Sequence, residues 1–369
     1  MYKSKLYIYG VKEQKNLESS IKNILLKSTN DLSWLSKGDV VLLKPALNSP
    51  DPYPATTDPV TIEVIARLLI QRGARVVIGD QSGIGHVLHS PNGTVKGSSK
   101  GNYEKSGMKR MKEIPFAAFE EEGWDKGFYR YKSDGLSWKH GFFITNWVKK
   151  VDHIINLPRL STHVQAGVTL GFKNFVGLLR EDSRLEFHMN GPFSFVMKTR
   201  AIQGSIKTVN DKSDSFFKKI VEISLAVKSK LRLTLLTATK AQVTLGPDKY
   251  AALSLFPSHV VDLDPGIIMA SEDQVAVEIC ALSLLTYLYK KQSMTTKMLQ
   301  ILVTMLNTQT KELGTYSIWK NPFITHALHL NLGKAEIEYI YNNISDQMKT
   351  SLQKILVRPL GFGPRTSTL

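Results

Sequence analysis

Between Val40 and Gly79 the chain carries one unit that few folds accommodate. Val40-Val41-Leu42-Leu43 is a short continuous apolar run, the pattern of a strand buried on both faces. Lys44-Pro45 ends it, and NSPDPYPATTDP follows, with four prolines in twelve residues. Each proline biases its predecessor toward extended backbone, so this segment is a rigid loop. Thr61 to Gln71 then has helical spacing and stops at Gly73, and Ala74 to Gly79 is a β-branched strand. Strand, loop, helix and strand in this order make a βαβ unit with parallel pairing. Ligands of such sheets collect beyond the carboxyl ends of the strands. Asn48, Asp51, Thr57, Asp58, Asp80, Ser82 and His86 fall there. The turn Gly79-Asp80-Gln81-Ser82-Gly83-Ile84-Gly85 is glycine-rich without being a dinucleotide fingerprint or a P-loop. It reads either as a phosphate cradle or as a plain strand-to-loop turn.

The remaining elements alternate in the same manner. Lys5 to Tyr9 reads as a first strand and Asn16 to Ser28 as a helix. Ser90 to Lys112, rich in Gly, Ser, Asn and Lys, reads as a mobile surface loop or lid. Ile114 to Glu122 resembles an amphipathic helix, and Phe128 to Tyr131, Phe142 to Val148 and Val151 to Leu157 resemble strands. A helix from Asp211 to Lys230 precedes strands at Leu231 to Ala238, Val260 to Leu263 and Gly266 to Ala270. Ser271-Glu272-Asp273 reads as the capped start of a helix reaching about Tyr289. Helices at Thr295 to Asn307 and Lys334 to Lys354 flank a loop with His326 and His329. The expected fold is α/β, with mostly parallel sheets and flanking helices. Residues 1–355 form one unit, drawn as two lobes that meet near residue 150 with the site in a cleft between them. Residues 356–369, which include RPLGFGPRTSTL, resemble a read-through peptide and are expected to be a disordered tail.

Charge and cysteine usage limit the function classes. The net charge of +16 suggests an anionic partner, but the lysines are dispersed, and basic and aromatic residues do not interleave. That pattern favours a solvated basic surface or attraction of an anionic ligand over nucleic acid. The single cysteine, Cys280, excludes an intrachain disulfide, a Cys-based zinc finger and an iron–sulfur cluster held by this chain alone. The N-terminus lacks the apolar core of a signal peptide, and Val275 to Tyr289 is too short to span a bilayer and carries Glu278. A cytoplasmic protein with no membrane partner is expected, its oligomeric state open.

Chemistry concentrates between Val151 and Asn190. After the apolar run and Pro158 come Thr162, His163, Lys173, Asn174 and His188, with Gly167, Gly171 and Gly177 among them. Two imidazoles exchange protons near neutral pH, and an amine bonds carbonyl carbon or clamps phosphate. Histidine also ligates metals. The bland alternatives are a turn-capping His163, a salt-bridged Lys173 and an incidental His188. His86 and His89 form a second candidate metal pair, ahead of His326 and His329.

VLLKPALNSPDPYPATTDP, RVVIGDQSG, INLPRLSTHVQAGVTLGFKN and IIMASEDQVAVE resemble successive blocks of the family known as domain of unknown function 362. More remotely, H-x-x-A-G-x-x-x-G-x-K from His163 to Lys173 is similar to a signature of the lactate racemase family. That likeness implies a lactate-racemase-like fold and a nickel-pincer nucleotide held covalently on Lys173. It further implies His163 as an acid/base, His86 as a loose counterpart of the second, and His188 as a nickel ligand. Asn174, Asp80, Ser82, Gly83, Thr57 and Asp58 are the accompanying cofactor-binding candidates. This chain departs from the signature in the loop NSPDPYPATTDP, which has no arginine. The leading expectation is an isomerase-like enzyme exchanging a proton or hydride on a small anionic metabolite. The alternatives are a metal-free enzyme with a phosphate or nucleotide ligand, and a nucleic-acid or partner-binding module using the basic surface.

Overall fold

Period-two alternation inside the strands decides how this molecule is layered. The computed structural model describes residues 3–110, 112–189, 194–208, 215–249, 258–298, 301 and 317–356. Its strands are β1 (Ser4–Val11), β2 (Val40–Pro45), β3 (Arg75–Asp80), β4 (Leu88–Ser90), β5 (Gly93–Lys96), β6 (Phe116–Ala118) and β7 (Phe128–Tyr131). They continue with β8 (Phe142–Thr145), β9 (His153–Leu157), β10 (Ser161–His163), β11 (Gly167–Thr169), β12 (Leu231–Gln242), β13 (Val260–Ser271) and β14 (Ile337–Asn342). Among the described residues the main sheet has ten strands, ordered β14-β1-β13-β12-β9-β2-β3-β6, with β10 beside β12 and β11 beside β10. The run β12-β9-β2-β3-β6 is parallel throughout, β14 is parallel to β1, and β13 is antiparallel to both its neighbours.

Val41 and Leu43 of β2, Val76 and Ile78 of β3, and Ile155 and Leu157 of β9 enter one apolar layer. Leu42, Val77 and Ile154 enter the other. Both faces of the parallel strands are therefore covered, which is why these strands read as unbroken apolar runs. Helices α1 (Leu17–Ser28) and α2 (Pro59–Gln71) close the first face through Ile21, Ile24, Leu25, Ile62, Ile65 and Leu69. The second face is closed by α8 (Phe216–Val227), α9 (Gln274–Lys290) and the helices Pro322–His329 and Asp346–Leu356. Asp58 caps α2 by accepting from the Val60 N–H, and Pro59 occupies the first turn, where a missing N–H costs nothing.

The proline-rich loop is pinned at three places. Thr57 Oγ1 accepts from Ala46 N at 2.7 Å and donates to the Leu157 carbonyl. The Tyr53 hydroxyl accepts from the N–H groups of Thr239 and Lys240, both at 2.9 Å, at the irregularity that interrupts β12. Arg159 donates to the Pro54 carbonyl at 3.1 Å.

Several sequence expectations are corrected. Ser90 to Lys112 is not an unstructured lid, because β4 pairs β5 and Ser98 caps α3 (Ser99–Lys105). Tyr103 of α3 is buried and stacks on Phe116 at 4.3 Å. Ile114 to Glu122 is not an α-helix: Phe116–Ala118 adds a parallel strand to β3, and a 3-10 turn follows. The helix expected from Lys334 splits, since the alternating apolar and aromatic residues Ile337, Tyr339 and Tyr341 pair with β1 as β14. The two short strands at Val260 and Gly266 are one, β13. β2, before residue 150, pairs β9, after it. The tail from residue 357 and most of the Thr295–Asn307 helix lie outside the described residues. Cys280 is buried, and burial pushes its thiol up to about 12.

Asp273 caps α9 by accepting from Val275 N at 2.8 Å and Ala276 N at 3.2 Å, and it also takes the Lys334 N–H and the Ser4 hydroxyl. Asp273→Ala is expected to cost about 1–2 kcal/mol, typical of a lost cap. Urea unfolding with an unchanged slope reads it, and an unchanged midpoint would contradict the assignment.

Candidate functional site

The parallel strands β2, β3, β9 and β12 end together, and the segments leaving them enclose a small cavity of about 60 Å³. Leu47 and Asn48 follow β2, Asp80 ends β3 with Gln81 and Gly83 behind it, Arg159 follows β9, and Pro247 lies beyond β12. The opposite wall comes from β10, β11, α5 (Gly171–Asn174), the turn Phe175–Leu178 and α6 (Glu181–His188), through His163, Thr169, Lys173, Asn174, Gly177 and Arg184. This is the carboxyl edge at which ligands of parallel sheets sit.

One member of a buried ion pair, Asp80, is in its lining. Lys44 Nζ and Asp80 Oδ1 are 2.8 Å apart, with side-chain exposures of 0% and 3%. Burial pushes the amine down and the carboxyl up, and their mutual attraction opposes both shifts. Asp80 also accepts from Leu47 N at 2.9 Å and Gln81 N at 2.8 Å, so one carboxylate fixes two loops. A Cβ on Gly177 would stand 1.9 Å from Asp80 Oδ1 and 2.8 Å from Lys44 Nζ, so this position accepts no side chain.

Two arginines that the sequence reading did not single out add positive charge. Arg159 is fully buried, and its guanidinium meets only neutral acceptors, the carbonyls of Pro54 and Pro247 and Gln242 Oε1. Its Nε has no hydrogen-bond partner, and burial lowers its pKa to about 10. Arg184 donates to the carbonyls of Leu179, Gln81, Ser82 and Gly177, with Glu181 at 3.9 Å. Burial raises Glu181 to about 8, which weakens it as a counter-charge at neutral pH. Gln81 Oε1 and Thr169 Oγ1, on two further lining residues, are buried without partners. Buried polar groups are nearly always satisfied, so two unpartnered atoms on residues of one lining are an exception.

Lys173 stands among these groups without a carboxylate in ion-pair range among the described residues. Burial first, then the charges of Arg184 and Arg159, lower its pKa to about 7. Its Nζ lies 5.8 Å from the Phe187 ring centroid. The two histidines nearby are fixed in opposite tautomers. His163 Nδ1 accepts from Gln165 N at 3.0 Å and Ala166 N at 3.1 Å, so the neutral ring carries its proton on Nε2. It both caps the β10–β11 turn and lines the cavity. His188 Nδ1 donates to the Arg184 carbonyl at 2.6 Å, leaving a lone pair on Nε2. Burial and the Lys173 charge lower His163 well below its ordinary range and His188 to about 3. His188 packs against Phe187 and Phe216 and does not line the cavity.

The other candidates separate into lining and supporting residues. Asn174 lines the cavity, while its amide nitrogen is committed to the Lys44 carbonyl and Asn156 Oδ1. Gly83 lines it too, and a Cβ there would meet Asn48 Oδ1 at 2.2 Å. Thr57 and Asp58 are outside the lining, one tying loop to strand and the other capping α2. Ser82 is buried with its hydroxyl accepting from Asn102, away from the lining. His86 Nε2 meets Asp248 Oδ2 at 2.8 Å and does not line the cavity. Asp248 in turn takes the side-chain amide of Asn48, which does. His89 is boxed by Trp124 and Phe128 rather than paired with His86, and His326 binds Glu222.

A nickel-pincer nucleotide does not fit this arrangement. Cofactor pockets occupy about 300–1,000 Å³, and this cavity is about 60 Å³. His188 presents its free nitrogen outside the lining, and no group of three His, Cys, Asp or Glu side chains among the described residues is placed to hold a metal.

The depressed Lys173 pKa has a consequence for stability. Between about 7 in the fold and 10.5, its ordinary value, the unfolded chain holds more protons on this residue, so stability rises with pH across that window. Lys173→Met is expected to be more stable than wild type at neutral pH and below. The gap should narrow toward pH 10.5, as read by urea unfolding across that range. A gap independent of pH would contradict the assignment.

Comparison with known proteins places the chain. A Synechocystis sp. protein named "Thylakoid-associated protein sll1697" is 27% identical over 183 residues, covering 48% of this chain and 50% of the relative. The chain thus spans about half the length of the curated relative it matches. The lactate racemase apoprotein from Thermoanaerobacterium thermosaccharolyticum aligns structurally at a TM-score of 0.40 and 13% identity, over 63% of this chain and 50% of that one. No helix among the described residues is long and apolar enough to cross a membrane. The family described as "Domain of unknown function (DUF362)" matches residues 41–283, more than half the chain and all of the segments that build the cavity. The protein belongs to the DUF362 family.

Proposed function

We propose that this protein is an enzyme that holds a small anionic metabolite in the cavity and moves a proton on it, an isomerase-like reaction. The observation that carries this reading is Arg159, a fully buried guanidinium that meets neutral acceptors and no carboxylate beside an amine and an imidazole. Asp248 and Asp51 act on the guanidinium only from beyond ion-pair distance, and a buried cation without a paired carboxylate is costly, a cost that a bound carboxylate or phosphate would offset. Arginine suits either anion because its planar fork matches two oxygens.

The remaining groups divide the chemistry. Lys173, titrating near neutrality, can work as the unprotonated amine, accepting a proton or bonding carbonyl carbon. His163, held neutral with its proton on Nε2, is suited to donate a hydrogen bond to an oxygen on which negative charge develops. The small volume favours a metabolite of few atoms over a nucleotide.

Two measurements test the reading. Small carboxylates or inorganic phosphate should raise the thermal midpoint of wild type, and Arg159→Gln should abolish the rise while remaining folded by circular dichroism. In deuterated buffer, hydrogen on carbon beside the carboxylate of a substrate acid should exchange. Lys173→Met should slow that exchange by about 100-fold or more. A protein indifferent to every small anion tried would overturn the proposal.

A further inference from the structure

The cavity's amine, on a partly exposed side chain, differs from the buried Lys44 and Lys219 in a way that names a substrate class. Lys44 is paired with Asp80, and Lys219 with Glu186, each with a carboxylate beside its ammonium. Those pairings are what a lysine needs to remain charged inside a protein. Lys173 has no acceptor and no carboxylate among the described residues, although Asp80 lines the same cavity and is committed to Lys44. Two guanidiniums line that cavity as well, and cationic neighbours together with desolvation are how a lysine becomes a nucleophile. The oxygen side is also provided for. His163 carries its proton on Nε2, and Thr169 Oγ1 is a buried hydroxyl without a partner.

We propose that Lys173 forms an imine with the carbonyl carbon of a small 2-oxo acid whose carboxylate is held by Arg159. This rests on the anion-binding reading above and deepens it. The Nζ lone pair attacks the carbonyl carbon, and the π pair of the C=O bond moves to oxygen. One proton passes from Nζ to that oxygen, giving the carbinolamine. The C–O bond then breaks, the hydroxyl takes the second Nζ proton, and water leaves as the C=N bond forms. No oxidant or reductant enters. Once protonated, the imine draws electrons from the neighbouring carbon, and a hydrogen there becomes exchangeable. For a 2-oxo acid that hydrogen is on the carbon beyond the imine carbon, so the covalent step extends the proton chemistry proposed above to the position next to the carbonyl.

The test is reductive trapping on the full chain. Pyruvate or glyoxylate is added at neutral pH with borohydride, and the adduct is located by peptide mass spectrometry. Labelling at Lys173 should exceed that at any exposed lysine by more than about 100-fold, since an ordinary amine is almost wholly protonated at pH 7. Inorganic phosphate should slow it by occupying the anion position, and Lys173→Arg should abolish it. Denatured protein, in which every lysine has the same ordinary reactivity, should lose the preference. Label distributed evenly among lysines, or none at Lys173, would overturn the proposal. If anions still stabilise the protein and Arg159→Gln removes that effect while no adduct forms, the imine fails and the anion site stands. If neither effect appears, both fall.

Discussion

The contact between Lys44 and Asp80 organises this end of the molecule. Lys44 is the penultimate residue of β2 and Asp80 the last of β3, and their side chains meet at 2.8 Å in an interior that excludes water. Asp80 then gathers the N–H groups of Leu47 and Gln81, so both loops that leave these strands start from fixed points. Gly177 lets the opposite wall approach to where a Cβ would touch the pair. Breaking such a pair by removing one partner typically costs about 3–5 kcal/mol, because the other charge is stranded. The local stability of the cavity and its shape therefore have one source.

That pair also sets the electrostatics of everything beside it. With Asp80 committed to Lys44, the cavity has no free carboxylate for its other cations. Arg159 and Arg184 are instead held by carbonyl oxygens, which supply hydrogen bonds without cancelling charge. Glu181 is the carboxylate closest to Arg184, but burial raises it to about 8. Burial, reinforced by the neighbouring positive charges, lowers Lys173 to about 7 and acts in the same direction on both histidines. An amine titrating near neutrality, a neutral imidazole and two guanidiniums in one lining are the arrangement on which the proposed anion site rests.

Much of the framework was legible in the sequence, for local reasons. The βαβ unit from Val40 to Gly79 is announced by apolar runs, by helical spacing that stops at Gly73 and by the proline-rich loop. The position of the site beyond the strand ends follows from parallel pairing. His163 and Lys173 stood out because few imidazoles and amines occur on glycine-rich strand exits, and both line the cavity. What the sequence hid is tertiary. Arg159 and Arg184 look like surface residues, and only the packed structure reveals their burial. A weak signal existed for Arg159, which sits between the apolar residues Leu157 and Leu160 in LPRL. Phe116–Ala118 is too short for any periodicity to separate strand from helix, whereas the alternation in Ile337–Asn342 was available and pointed to a strand. His86 and His188 were grouped with the site by residue type, but the Asp248 carboxylate and the Arg184 carbonyl determine where their rings lie.

The account depends on a hollow of net positive charge at the carboxyl edge of the sheet, and a diffraction experiment addresses it directly. Crystals grown or soaked with bromide should give an anomalous peak inside the cavity, in contact with Arg159 and Lys173, at a concentration that leaves most surface lysines bare. Peaks confined to the exterior, with the cavity holding only water at neutral pH, would contradict it.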